Sequence, residues 1–104
     1  LILQPLIENS LYHGIKPLSG SGFIKLKINI RNSWLIFTVI DTGVGMTKDE
    51  IGALYKNINN PGHENIGLAN VNSRLVMQYG EESGLKILSK KGMGTCISFR
   101  IPYY

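Results

Sequence analysis

The segment Asp41-Thr42-Gly43-Val44-Gly45-Met46 directly follows an apolar run, residues 34–40, which reads WLIFTVI. A run of β-branched and aromatic residues of this length is typical of a buried strand. Such a strand would place the Asp41 carboxylate at the rim of a sheet, and Gly43 and Gly45 would let a flat ligand approach the backbone. The carboxylate could then accept a hydrogen bond from an exocyclic amine, such as N6 of adenine. The same spacing also fits a plain turn after a strand, so the motif alone leaves both interpretations open.

A second informative segment is the N-terminal stretch, residues 1–14, which reads LILQPLIENSLYHG. Its period predicts an amphipathic helix, and Gly14 fits the C-terminal stop of that helix. The apolar positions on one face, at about 100° per residue, are Leu3, Ile7 and Leu11, with Leu6 nearby. The other side carries Glu8, Asn9, Tyr12 and His13. Asn9 can offer a neutral oxygen to Mg²⁺, a cation that prefers oxygen ligands.

Four segments resemble, in order, the nucleotide-binding boxes of sensor histidine kinases. Residues 3–14 resemble the N box, residues 41–46 the G1 box, residues 65–75 (NIGLANVNSRL) the G2 box, and residues 92–102 (GMGTCISFRIP) the last G-x-G-T strand element. The forms L-Q-P-L-x-E-N and G-L-x-N-V-x-x-R-L are similar to the LytS/YesM-like branch of these kinases. The resemblance implies an ATP-binding catalytic domain with the Bergerat fold, which gyrase and the mismatch-repair ATPases share.

Length and composition indicate a single globular domain that comprises residues 1–104, with 43% hydrophobic and 17% charged residues. The net charge is +4, but the basic residues are scattered and only Lys90 and Lys91 are adjacent. We therefore expect no nucleic-acid partner.

The single cysteine, Cys96, cannot form an internal disulfide, and the two histidines lack the clustering of a zinc site. No apolar run approaches the roughly 20 residues that span a bilayer.

The remaining patterns predict an α+β fold. Alternation predicts strands at residues 24–30, with one face wet, at 85–89 and at 95–101, and residues 31–33 make a hairpin with the buried strand. Thr47 and Glu50 match a capping box, which predicts a helix from Lys48 to about Asn57, and a second helix begins at Gly67 and ends near Gly80. Two hairpins and two main helices indicate a two-layer α/β sandwich of Bergerat type. Its sheet would be mixed and mainly antiparallel, with the helices on one face.

Residues 57–65 are rich in turn formers and poor in apolar anchors, which predicts a mobile loop. The resemblance implies that this loop is the ATP lid.

The resemblance also implies roles for individual residues. Asn9 would be the Mg²⁺ ligand and Asp41 the residue that reads adenine, beside a wall formed by Gly43, Gly45 and Met46. Thr95 would hold Asp41 or a water near adenine, although a simple β-former is an equal alternative. Gly67 and Leu68 would line the phosphate end, where the positive end of a helix faces an anion.

The same resemblance also concerns four further positions, Glu8, Tyr12, His13 and Arg74. Glu8 would act as a catalytic base or orient water, or it is an ordinary exposed residue. Many family members have a basic residue at the position of Tyr12, so phosphate binding would depend more on His13, Arg74, the metal or the lid. Pro5 occupies the position where gyrase-like ATPases carry their hydrolytic glutamate. This difference favours phosphoryl transfer to a histidine over an ATP-driven machine.

The predicted function is therefore transfer of the γ-phosphoryl group of Mg-ATP to a histidine on a separate domain, in two-component signalling. The alternatives are a serine kinase or ATPase of the same superfamily, or a nucleotide-sensing or docking module without catalysis. The resemblance implies an upstream dimerisation and phosphoacceptor domain, a response regulator as partner, a monomeric fragment and a dimeric parent. We expect a cytoplasmic domain whose parent is anchored in the bacterial cell membrane.

Overall fold

The computed structural model of the chain describes residues 2–17, 22–60 and 66–103. Helix α1 (Leu3–Asn9) continues as a π-helical segment, Ser10–Ile15, and is followed by the hairpin of β1 (Ile24–Arg31) and β2 (Trp34–Asp41). Helices α2 (Lys48–Asn59) and α3 (Ile66–Tyr79) come next. A 3₁₀ turn (Glu81–Ser83), β3 (Lys86–Lys90) and β4 (Gly94–Pro102) complete the fold.

The four strands form one sheet in the order β1-β2-β4-β3, and all three pairings are antiparallel. The helices pack on one face of this sheet, where the core lies. That core is made of aliphatic side chains from every layer, with Leu6, Val39, Leu75 and Ile97 almost fully buried. This architecture confirms the predicted α+β class with helices on one face.

The capping box predicted for α2 is present in both directions. The Thr47 hydroxyl accepts from the Glu50 amide, and a Glu50 carboxylate oxygen accepts from the Thr47 amide at 2.8 Å. The helix runs to Asn59, two residues beyond the predicted end. The first residues of the predicted lid are therefore helical. Residues 61–65, the rest of that loop, lie outside the described residues.

Two predictions about the first helix are wrong. Gly14 does not end it, because the π-helical segment continues through Ile15. The buried positions are Leu6, Ser10 and Gly14, whereas Ile7 and Leu11 are exposed. Leu6, Ser10 and Gly14 are spaced four apart and share one face of a helix even at about 100° per residue, about 60° from the centre of the predicted face. The buried face therefore contains two small residues, Ser10 and Gly14, which a pattern based on apolar side chains does not count.

Strand β1 also differs from its prediction of one wet face. Apart from Ile24, which is partly buried, every residue of β1 is exposed, including Ile28 at 53% and Ile30 at 60%. The alternation is real, since these isoleucines lie on the face of the sheet that carries the helices. The helices cover β2, β4 and β3 but leave this edge strand open.

Candidate functional site

The loop after β2 is locked to the π-helical segment by backbone contacts. The Val44 amide donates to the Gly14 carbonyl at 3.0 Å, and any Cβ on Gly43 would overlap the Gly14 backbone. Gly45 has a φ of +71°, and its α-carbon lies against the Lys90 carbonyl. These glycines therefore allow β2, the π-helical segment and the β3–β4 turn to converge without side chains between them.

Asp41 ends β2 on the face of the sheet that carries the helices and is only 3% exposed. Its Oδ1 accepts a hydrogen bond from the Gly43 amide at 2.8 Å. A Cβ on Gly14 would lie 2.8 Å from Oδ1 and 2.9 Å from Cγ of Asp41. No donor within residues 2–17, 22–60 and 66–103 is bonded to Oδ2, so this oxygen is left to accept from a ligand or water.

Thr95 lies directly opposite Asp41 in the β2–β4 register. Its hydroxyl is 2.8 Å from Ser89 Oγ, and the Ser89 hydroxyl donates to the Gly94 carbonyl at 2.8 Å. Because Ser89 has a single hydroxyl proton, Thr95 is the donor in the pair. The Thr95 hydroxyl therefore does not bond Asp41 in this structure, while its alternative role of holding a water near adenine stays a prediction. That hydroxyl bonds Ser89, which also accepts from the Met46 amide at 2.8 Å.

A cleft of about 590 Å³ opens between the helices and this end of the sheet. It is within the volume range of small-molecule and cofactor sites. Its lining joins predicted site residues from the first helix, the loop after β2 and the last strand to side chains of α2. Lining residues that were predicted are Asn9, His13, Gly45, Met46 and Thr95, and those that were not include Val44, Glu50, Asn57 and Lys91.

A second hollow, of about 210 Å³, adjoins this cleft and shares Asn9 and His13 with it. It lies between the first helix and the start of α3. Its other lining residues are Pro5, Glu8, Tyr12, Ile66, Gly67 and Leu68. The structure thus gathers Glu8, Tyr12, Gly67 and Leu68 at one end of the site, with Asn9 and His13 at the junction.

Three predicted site residues, Asp41, Gly43 and Arg74, line neither of these two cavities. Asp41 instead lines a third hollow, of about 360 Å³, together with Ser89 and Thr95. Arg74 lies on α3 seven residues beyond Gly67, which is about 10 Å along the helix axis. A cation other than Arg74 lies next to Tyr12, which lines the smaller hollow. Lys16 Nζ lies 4.9 Å from the centroid of the Tyr12 ring, a cation–π geometry.

Sequence reasoning missed Gly14, Ser89 and Lys16 as site residues. The signal for Lys16 was its spacing of four from Tyr12, which puts both on one side of a helix. Ser89 and Gly14 had no comparable local signal, because their contacts join segments far apart in the chain.

The described residues contain no cluster of three or more His, Cys, Asp or Glu side chains that could hold a metal ion. Mg²⁺ commonly takes only one or two protein oxygens and is otherwise held by phosphates and water. The Asn9 amide at the junction of the two cavities suits such a site. Within the described ranges, no helix is both long and apolar enough to cross a membrane.

The profile of the family described as "Histidine kinase-, DNA gyrase B-, and HSP90-like ATPase" matches residues 1–104. The chain is 33% identical to the sensor protein kinase HptS of Staphylococcus aureus strain bovine RF122 / ET3-1, over 98% of its own length and 20% of the relative. The same kinase from strain USA300 gives the same identity and coverage. The chain thus spans about a fifth of the length of these relatives.

Two solved structures share the fold. The histidine kinase domain of the Erythrobacter litoralis EL346 blue-light activated histidine kinase superposes with a TM-score of 0.68 at 24% identity, covering 97% of this chain and 41% of that one. A second structure of the same kinase gives a TM-score of 0.69 at 24% identity, with 97% and 28% coverage.

Proposed function

Since this chain belongs to the family of histidine kinase-, DNA gyrase B- and HSP90-like ATPases, we propose that it binds Mg-ATP as the catalytic domain of a sensor histidine kinase. The γ-phosphoryl group would pass to a histidine on a separate domain. The observation that carries this proposal is the buried Asp41 carboxylate, which has one oxygen held by the Gly43 amide and the other left to accept. Asp41 lies opposite Thr95, which lines the cleft of about 590 Å³, and Asp41 itself lines the adjoining hollow of about 360 Å³. A carboxylate in this position suits a neutral amine donor.

The adenine end of the proposed site is the cleft wall around Thr95, Gly45 and Met46. The Ser89 hydroxyl group fixes both the Met46 amide and the Thr95 hydroxyl, so this wall is rigid. Its preorganisation lowers the ordering cost of binding a flat base.

The phosphate end is the smaller hollow at the start of α3. Backbone amides of the first turn of a helix attract anions, and Gly67 leaves them uncovered by a side chain. Lys16, held over the Tyr12 ring, would supply the cation that Tyr12 cannot, and Asn9 would give its oxygen to Mg²⁺. Mg-ATP would bring the transferable phosphoryl group and the metal charge that offsets the phosphates.

Two observations favour phosphoryl transfer over simple ATP hydrolysis. Pro5, one turn before Asn9, lines the smaller hollow and has no proton-accepting group. The carboxylate in that hollow is Glu8, which accepts from Gln4 Nε2 at 3.2 Å and is exposed. An exposed carboxylate can meet an incoming imidazole, and we propose it as the base that polarises the acceptor. The relatives named as sensor protein kinases support the same choice.

Asp41→Asn tests the adenine assignment. The variant should bind ATP about 10- to 150-fold more weakly, because a lost charge-assisted hydrogen bond costs about 1.5–3 kcal/mol. Calorimetric titration measures this, and thermal unfolding checks that the variant folds. Asp49→Asn, on the exposed first turn of α2, makes the same charge change as a control. Unchanged affinity in folded Asp41→Asn would refute the assignment.

Asn9→Ala tests the metal assignment. Removing the amide oxygen should abolish most of the gain in ATP affinity that Mg²⁺ gives, while affinity measured in EDTA stays within about twofold. Titration of the wild type and the variant with and without Mg²⁺ separates these effects. An undiminished response to Mg²⁺ in Asn9→Ala would show that Asn9 is not the ligand.

A further inference from the structure

The face of the sheet turned away from the helices, here called the open face, collects more than half of the basic residues of the chain. Residues paired across antiparallel strands project to the same side, so the register identifies its members. Opposite the buried Val39 and Ile97, the open face carries six of the eleven Lys and Arg side chains. These six are Lys25, Lys27, Arg31, Lys86, Lys90 and Arg100.

No acidic residue of the four strands balances this charge. Asp41, the only carboxylate within β1–β4, points to the opposite face of the sheet. Glu82, in the 3₁₀ turn, reaches Arg100 at 3.2 Å from the side. The acids of α1 and α2 lie on the helical layer. The described part of the chain is therefore electrically asymmetric, with a basic open face and a more acidic helical layer.

Five of the six basic residues on the open face lie on its two edge strands, β1 and β3. One row across the sheet reads Lys27, Thr38, Ser98, Lys86, with a lysine on each edge strand and neutral residues between them. The next row reads Lys25, Ile40, Cys96, Leu88. The sixth, Arg100, is on the central strand β4, and its guanidinium carbon lies 4.1 Å from the centroid of the Trp34 ring. We call the strip between the two edge strands the trough: it is mainly uncharged, with Arg100 as its one cation, and a basic margin lies on each side.

The floor of the trough has exposed apolar anchors at one end. Leu88 and Met93 are 72% and 69% exposed, and they border a hollow of about 360 Å³ that Ile40 and Cys96 also line. Burial raises the pKa of the Cys96 thiol, and the Lys27 charge opposes that rise. Exposed side chains of this kind are typical of a binding surface when polar groups surround them.

The dimensions of the trough match one helix. The two edge strands are three interstrand spacings apart, about 14 Å, and a helix with its side chains is about 10–12 Å wide. Eight-residue β2 runs about 27 Å, which equals about 18 residues of helix. A helix laid there would bury an apolar stripe on the floor and present side chains to both margins.

We propose that the open face docks an amphipathic acidic helix of a partner polypeptide, with its apolar stripe over Trp34, Ile36, Ile40 and Leu88 and carboxylates toward both basic margins. Charge complementarity selects an acidic partner, and the apolar floor selects a polypeptide over a nucleic acid, which offers a charged backbone and no aliphatic stripe.

A direct test uses a synthetic 18-residue peptide with leucines in a helical stripe flanked by glutamates. Trp34 is the only tryptophan of the chain and lies on the open face, so its fluorescence reports binding there. We expect saturable binding that weakens with salt. A peptide of the same composition in scrambled order should bind at least tenfold more weakly, because it cannot present a stripe and two acidic flanks together.

Charge-reversal variants locate the surface. Lys27→Glu/Lys86→Glu, one on each margin, should weaken binding at least tenfold, and Lys27→Gln/Lys86→Gln should weaken it less. Lys48→Glu/Lys56→Glu, on exposed positions of α2, changes the net charge equally and should leave affinity within about twofold. Thermal unfolding and ATP titration check that each variant retains its fold.

The proposal would be overturned if the designed peptide did not bind, or if the scrambled peptide bound equally well. It would also be overturned if Lys27→Glu/Lys86→Glu and Lys48→Glu/Lys56→Glu weakened binding equally. Tighter binding to anionic lipid vesicles or duplex DNA than to the peptide would contradict it as well. These results leave the nucleotide proposal standing, because Asp41→Asn and Asn9→Ala test the proposed ATP site separately.

Discussion

At the scale of single residues, the contact between Gly14 and Asp41 sets the geometry of the proposed adenine site. Gly14→Ala would put a methyl group 2.8 Å from Asp41 Oδ1, and β2 and the Gly43 amide hold that carboxylate in place. Overpacking of this kind costs about 1–3 kcal/mol, which exceeds the helix-propensity gain of alanine. We expect lower stability to denaturant and weaker ATP binding.

Gly52→Ala is the matched control, since Gly52 lies in α2 with open space around its α-carbon. It should raise the free energy of unfolding by about 0.5–1 kcal/mol and leave ATP affinity unchanged. Urea unfolding of both variants measures the difference. Equal stabilisation of the two variants would show that the Gly14 position tolerates a side chain.

The residues of the proposed site divide by the range of their contacts. Asn9, Asp41 and Gly45 belong to local motifs, and the sequence alone named them. Ser89 binds the Met46 amide 43 residues away, and Gly14 meets Asp41 across two elements, so no local pattern marks either one. Their identification required the packing of the helix on the sheet.

At the scale of elements, the start of α2 links helix stability to pH. The backbone hydrogen bond from Thr47 holds the pKa of Glu50 below its ordinary value of 4.5, and the Lys91 charge adds to this effect. A lowered pKa in the folded state means that the charged form stabilises the fold. That contribution is present above pH 4.5 and is lost as the pH falls through the folded-state pKa.

Glu50→Gln should therefore be less stable than the wild type at about pH 7, and the difference should shrink as the pH falls below 4.5. Lys91→Met should keep most of this dependence, because Lys91 only reaches Glu50 at 3.5 Å on an exposed surface. Thermal unfolding between about pH 3 and 7 measures both variants. A constant difference between Glu50→Gln and wild type would contradict the cap as its source.

Element types were predictable here because each has a strong local cause. The Thr47–Glu50 box and the alternation of β1 act over a few residues and were read correctly. The buried face of α1 and the exposure of β1 were predicted incorrectly, because both depend on packing against parts of the chain that are distant in sequence. The buried face of the first helix includes the small residues Ser10 and Gly14, and Gly14 is buried because the loop after β2 packs against it. The exposure of β1 depends on how far the helical layer extends across the sheet.

At the scale of the whole molecule, the positions of the basic residues in the sequence do not show how these residues are arranged on the surface. The basic residues of the open face come from three strands, β1, β3 and β4, and pairing in the sheet brings them to one face. Scattered positions in a sequence therefore do not imply a scattered charge on the surface. The helical layer carries the proposed nucleotide site, and the open face remains available for a partner.

The two histidines of the chain bear on whether it can act alone. His13 lines the proposed nucleotide cleft at its junction with the phosphate end, and His63 lies outside the described residues. His13 belongs to the helix that would hold Mg-ATP and not to a separate helical domain that could present an imidazole in line with the γ-phosphate. We therefore expect the 104-residue chain to bind ATP without phosphorylating itself.

Incubation with γ-labelled ATP, followed by an alkaline quench that preserves phosphohistidine, measures this directly. Calorimetry on the same preparation must show ATP binding, so that absence of label reflects a missing acceptor. His13→Gln and His63→Gln, made singly, would assign any label that does form. Stoichiometric acid-labile label lost in either variant would place the acceptor within this chain and contradict transfer to a separate domain, while the Asp41→Asn result on ATP binding would remain valid.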